Sequence, residues 1–115
     1  MTVEVSNIIP PKQAENVSTD QYTSVGITII DKFTATNTTG GPVTIDVNLI
    51  ESGGSVGDSN LIVSSHSLAA NTNYTFPAIV GHTLQNGDII STNASAASSL
   101  TIRASGRVIT TTAIT

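Results

Sequence analysis

β-Branched residues dominate the apolar part of this sequence, and they restrict the folds that are open to it. Isoleucine and valine together number 24 among 115 residues, whereas leucine numbers 5, and serine and threonine supply a further 32. A branched Cβ loses rotamer freedom against a helical turn but packs well on a pleated sheet. The composition therefore predicts strands and opposes long helices.

The clearest strand signal is an apolar alternation that begins just after a glycine-rich turn. Val43, Ile45, Val47 and Leu49 are separated by polar residues, a pattern typical of a strand with one face in a core. The preceding turn, residues 37–42, reads Asn-Thr-Thr-Gly-Gly-Pro. Its residue types tolerate the backbone angles of a tight reversal.

A second strand is expected over residues 22–36, where Asp31 interrupts an otherwise apolar face. A β-bulge at this aspartate would turn it away from the core. The residues expected on the inner face are Ile27, Ile29, Phe33 and Ala35. This strand and the one that starts at Val43 are expected to pair as a hairpin across the turn.

Further strand signals follow a loop at residues 51–59, and the last covers residues 100–109. About seven or eight short strands at this spacing predict an all-β fold, a two-sheet antiparallel β-sandwich that is jelly-roll-like. The residues expected to supply much of the core are Ile27, Ile29, Phe33, Val43, Ile45, Val47, Leu49, Leu100 and Ile102.

Residues 1–21 differ from the rest, because Pro10-Pro11 removes two amide donors and the flanks are polar. They are interpreted as an extended N-terminal arm, with the β-sandwich domain in residues 22–115. An arm of this kind can cross a neighbouring subunit, whereas the alternative is an ordinary frayed terminus. Its deletion is expected to leave the sandwich folded. The candidate interface residues on the arm are Val3, Val5, Ile8 and Ile9.

Arg103 and Arg107 form a second candidate protein interface on the last strand. Two residues four apart on a strand share one face and are separated by about 13 Å. The opposite face of that strand carries apolar residues, Leu100 and Ile102 among them. The alternative interpretation of the arginine pair is an ordinary solvated face.

The sequence contains no recognisable catalytic, metal or cofactor site, and the chain is not expected to be an enzyme. There is no cysteine, and His66 and His82 lack the spacing of metal ligands. The triplet at residues 64–66, Ser-Ser-His, lacks a nucleophile elbow. The glycine-rich residues 53–57 lack the lysine and the helix of a phosphate-binding loop.

Charge and hydropathy argue against nucleic acid and membranes as partners. The net charge is −4 with scattered basic residues, whereas affinity for a polyanion needs clustered lysine and arginine. The apolar stretches are too short to span a bilayer. The N-terminus has no secretory signal pattern, so a soluble protein that is not exported by the usual route is expected.

Four segments resemble small bacteriophage proteins that decorate or cement capsids. These segments are residues 33–45, 68–75, 80–90 and 100–106. The resemblance implies a sandwich or jelly-roll fold and a structural role on the capsid surface of the virion. It also implies the major capsid protein as partner. A cement that covers symmetry-related sites is expected to self-associate as a trimer or a dimer. The alternative function is a tail-fibre-associated or receptor-binding module that recognises a host glycan or protein.

Replacing Val47 with aspartate tests the predicted core directly. We expect Val47→Asp to lower the free energy of unfolding by about 3–5 kcal/mol, because an unpaired charge in a dry core is strongly unfavourable. Chemical denaturation followed by circular dichroism measures the change. An unfolding midpoint equal to that of the unmodified chain would contradict the assignment of Val47 to the core.

Overall fold

The computed structural model describes residues 1–111, which form nine strands and one short 3₁₀ helix and contain no α-helix. Residues 112–115, which the sequence analysis included in the sandwich domain, lie outside the described part. The strands are β1 (Thr2–Gln13), β2 (Thr19–Thr23), β3 (Ile27–Asn37), β4 (Val43–Ile50), β5 (Leu61–Leu68), β6 (Asn73–Thr75), β7 (Thr83–Leu84), β8 (Ile89–Ala94) and β9 (Leu100–Thr110). The 3₁₀ helix is Asp58–Asn60.

The strands form two antiparallel sheets that pack face to face. Sheet A has the order β1-β9-β3-β6, and β7 pairs with the other end of β3. Sheet B has the order β2-β8-β4-β5. Strands that follow one another along the chain mostly lie in opposite sheets, which is the connectivity of a jelly roll. The predicted all-β sandwich is therefore confirmed.

The core lies between the sheets and contains most of the residues that alternation assigned to it. Val47 and Ile45 are completely buried, Val43 nearly so, and Leu49 packs against them while half-buried. Leu100 and Ile102 are also fully buried. Strict alternation identified these residues because β4 pairs with β8 without a register shift, and β9 pairs with β3 regularly from Leu100 to Ser105.

Strand β3 contains the predicted bulge, and the bulge changes which residues face the core. The register with β9 shifts between Ile30 and Lys32, so Asp31 is the inserted residue and is exposed. One inserted residue reverses the alternation, because side chains on a strand have a period of two. Before the bulge, Ile30 therefore faces the core. The assignment of Ile27 and Ile29 to the core is wrong, since both lie on the outer face.

The expected hairpin between β3 and β4 is also wrong, because the two strands belong to different sheets. The buried side chain of Asn37 organises the crossing between them. Its amide donates to the backbone carbonyl oxygens of Gly41 at 2.8 Å and Leu68 at 3.0 Å. Its Oδ1 accepts the amide of Thr39 at 2.9 Å. A turn-forming sequence indicates a reversal, but it does not identify the sheet that the next strand joins.

Residues 1–21 are not a separate arm, because β1 is an integral strand of sheet A. It pairs with β9 from Thr2 opposite Thr110 to Gln13 opposite Thr101. Ile8 and Ile9 are 6% and 0% exposed, so they are core residues and are not available to a neighbouring subunit. Prolines fit here because β1 is an edge strand with one side free of ladder bonds. Deleting this segment would open the core, contrary to the expectation for a free arm.

Two alanine substitutions on β1 distinguish an integral core strand from a free N-terminal arm. We expect Ile9→Ala to lower the free energy of unfolding by about 2–5 kcal/mol through lost burial and a residual cavity. Val5→Ala, on the same strand but 86% exposed, is expected to change it by about 0.5 kcal/mol or less. Urea unfolding of both variants measures the difference. Equal, small effects would show that β1 does not contribute to the core.

Candidate functional site on the outer face of sheet A

The outer face of sheet A carries an apolar surface at the end where β1 begins and β9 ends. One row crosses three strands and consists of Val3 on β1, Ile109 on β9 and Ile27 on β3. The next row contains Val5 and Ile29 with an arginine between them. Directly paired residues project to the same side of a sheet. We call the apolar members of these rows the sheet A patch: Val3, Val5, Ile27, Ile29 and Ile109.

The members of the sheet A patch are exposed to a degree that is unusual for large aliphatic residues. Val5 is 86% exposed, Val3 53% and Ile27 38%, while Ile29 and Ile109 are half-buried. Isolated apolar side chains are common on protein surfaces, but neighbouring rows of them mark interaction sites. The patch therefore has the chemistry of a protein-binding surface.

An exposed ion pair lies within the second row of the patch. Arg107 Nη2 donates to Asp31 Oδ1 at 2.9 Å, and its Nε lies 3.2 Å from both carboxylate oxygens. The hydrogen bonds to Asp31 raise the pKa of the Arg107 guanidinium, so it stays charged. The β3 bulge places the carboxylate here, and the two charges neutralise one another beside the aliphatic rows.

The structure brings together some of the predicted interface residues and separates others. Val3 and Val5 lie in the patch, and Val5 is the direct pairing partner of Arg107. Arg103 is exposed on the same outer face but lies opposite Thr34, farther along β9. The N-terminal valines and Arg107, predicted as two separate interfaces, thus belong to one surface.

Sequence reasoning missed Ile27 and Ile29 as surface residues. The available signal was Asp31, since a bulge there shifts the phase of every residue before it relative to those after it. The sequence predicts the bulge, and the bulge reverses the alternation of the residues that precede it, so that Ile27 and Ile29 face outward. β9 pairs with both β1 and β3 and so aligns these residues with Val3 and Val5. No local sequence signal predicts this choice of pairing partners.

The outer face of sheet B is different, because the loop at residues 51–59 covers part of it. Ile50 lies on the side of β4 opposite to Val47, yet it is only 3% exposed. The Asn48 amide fastens the loop by donating to Gly57 O at 3.2 Å and to Asn60 Oδ1 at 2.7 Å. Beside the loop is an open cleft of about 460 Å³. Leu49 and Ile62 supply apolar lining there.

A cluster of aromatic rings closes the sandwich where the edges β5 and β6 approach each other. His66 stacks on Tyr74 with ring centroids 4.2 Å apart, and both rings contact Phe76 edge-on. Asp46 accepts the backbone N–H of Ser65, so this carboxylate holds the backbone beside His66. In the Ser-Ser-His triplet, the His66 ring therefore packs against aromatic rings, and the Ser65 backbone is held by Asp46.

Within residues 1–111, no group of three or more histidine, cysteine, aspartate or glutamate residues is positioned to hold a metal ion. The same residues include no helix with the length and apolar character that crossing a membrane requires. The feature of the described chain that most resembles a functional surface is the sheet A patch.

Comparison with known proteins adds little. No protein-family model matches the sequence, and no curated protein sequence matches it. A chain in the structure of infectious bursal disease virus, Gx strain, aligns with 92% of this chain and 30% of its own length, at 14% identity and a TM-score of 0.44. This chain thus spans less than a third of that viral chain. Its function has to be inferred from its own surface.

Proposed function

We propose that this protein is a structural component of a virion, a capsid decoration or cement protein that binds the outer capsid surface and bridges coat subunits. The sheet A patch is the contact surface. Its partner in this proposal is the major capsid protein. The single observation that carries the proposal is the pair of exposed aliphatic rows on an otherwise fully folded sandwich.

The chemistry of the patch supports binding to protein. Burial of aliphatic surface is the main favourable term in protein association. The Arg107–Asp31 pair adds directional polar groups without a net charge, as befits a surface that docks on protein. The scattered basic residues give no corresponding surface for nucleic acid.

The shape of the molecule and its sequence resemblance also support this function. The described chain measures 56 × 26 × 21 Å along its principal axes, so a molecule that docks through the patch at one end is long enough to extend over a neighbouring coat subunit. The segments that resemble phage decoration proteins include residues 33–45 and 100–106, which contribute to β3, β4 and β9. They contain none of the five patch residues, so the resemblance supports the sandwich and the structural role, and the location of the contact rests on the exposure of the patch alone.

A charge placed in the patch tests the proposal. We expect Ile27→Asp to weaken binding to particles that lack this protein by about tenfold or more, equivalent to about 1.4 kcal/mol, because the carboxylate would be desolvated at the contact. Val56→Asp is the matched control, since Val56 is 45% exposed and lies in the 51–59 loop. Cosedimentation with particles measures binding, and circular dichroism verifies that both variants fold.

Particle stability provides the functional readout. Particles saturated with the unmodified protein are expected to resist heat and low ionic strength better than particles saturated with Ile27→Asp, since genome repulsion is least screened at low salt. Loss of binding by Val56→Asp alone would move the contact to the loop. Adhesion to host cells or glycans without binding to particles would replace the decoration function with the receptor-binding alternative.

A further inference from the structure

The edges of the two sheets differ in how well they are protected against pairing with another strand. Native proteins guard edges with short strands, bulges, proline and charge. In the described residues, β6 and β7 have three and two residues. Strand β2 has five residues with a register shift. The register of β5 with β4 is shifted twice, and Ser65 on β5 has a φ of 48°.

Strand β1 is the longest edge strand, and its protection covers only one half. The second half contains Pro10 and Pro11, and two register shifts fall between Ser6 and Lys12. The first half, from Thr2 to Ser6, pairs regularly with β9 without a bulge or proline, and Glu4 is its one charged side chain. Within residues 1–111, no other strand pairs with its outward backbone edge, and residues 2–5 are all exposed.

The sequence of this free half is complementary to itself. With two copies antiparallel and Val3 at the two-fold axis, Val3 faces Val3 and Val5 faces Met1 on the outer side, while Glu4 faces Thr2 on the other. Moving the axis to Glu4 would place two carboxylates directly opposite each other, which is unfavourable. Moving it to Val5 would extend the pairing past Ser6 into the segment where the register of β1 is shifted. Charge and the irregular backbone beyond Ser6 thus favour the register centred on Val3 over these two.

We propose that the free edge of β1, centred on Val3, pairs with the same edge of a second copy to form a two-fold dimer. Such an interface is self-complementary, as two-fold symmetry requires. Because the axis is perpendicular to the sheet, both sheet A patches lie on the same side of the joined sheet. Backbone hydrogen bonds between extended edges supply affinity, and the alternating side chains set the register. Of the two oligomers expected from the sequence, this selects the dimer.

Two substitutions of Thr2 test the register by charge. In the proposed pairing, position 2 faces Glu4 of the second copy, and this occurs twice per dimer. Thr2→Lys is therefore expected to tighten the dimer and Thr2→Glu to weaken it, each by about two- to twentyfold in dissociation constant. Sedimentation equilibrium measures both. A strict monomer at all concentrations, or shifts of both variants in the same direction, would overturn the proposal.

Disulfide trapping locates the axis, since the chain contains no cysteine. Directly opposed residues in an antiparallel pair have Cα atoms about 4.5–5.5 Å apart, within disulfide range. Val3→Cys is expected to form a covalent dimer on mild oxidation several-fold faster than Glu4→Cys or the loop control Val56→Cys. Faster trapping of Glu4→Cys, or equal trapping of the control, would refute a Val3-centred interface. Thermal unfolding verifies that every variant folds.

The outcome is independent of the proposed function. Dimerisation is measured with the purified chain alone, whereas the virion role is measured by binding to particles. A chain that dimerises through β1 but fails to bind particles would remove the decoration function and leave the interface. A chain that binds particles but remains monomeric would remove the β1 interface and leave the decoration function.

Discussion

Strand β9 is the element on which the rest of sheet A depends, since it pairs with β1 on one side and with β3 on the other. Its inner face supplies fully buried Leu100 and Ile102 to the core. Gly106 permits close approach to β3, because a Cβ there would lie 2.4 Å from the carbonyl oxygen of Ile29. No side chain can be accommodated at that distance without moving the backbone. On the outer face of β9, Arg107 lies between Val5 of β1 and Ile29 of β3.

The bulge at Asp31 converts this scaffold into a surface with binding chemistry. One inserted residue keeps Phe33 in the core on one side of the bulge and turns Ile27 and Ile29 outward on the other. The same insertion positions the Asp31 carboxylate beside Arg107. A single backbone irregularity therefore produces both the aliphatic rows and the ion pair between them. If Asp31 instead occupied a regular position in the strand, strict alternation would turn Ile27 and Ile29 toward the core together with Phe33.

The two outer faces show how the molecule distributes its apolar surface. On sheet B, the 51–59 loop shields Ile50, and the Asn48 amide holds the loop in place. On sheet A, Val5 and Ile27 are exposed at the end where β1 begins. Edge protection follows the same asymmetry, because Pro10-Pro11 guards only the second half of β1. Exposed side chains and an unguarded backbone edge thus coincide at one end of the molecule.

The sequence by itself determined the fold class and the strands whose alternation is unbroken, because period-two patterning depends only on one buried face. Val43, Ile45 and Val47 follow that pattern, and the bulge at Asp31 was visible in the sequence as a charge on an apolar face. Only the tertiary structure decided which strands pair. It placed residues 1–21 in the sandwich through β1, separated β3 from β4, and assembled the sheet A patch from strands far apart in the chain. Local residue chemistry encodes strand and turn propensity, whereas pairing partners depend on long-range burial that the whole chain satisfies together.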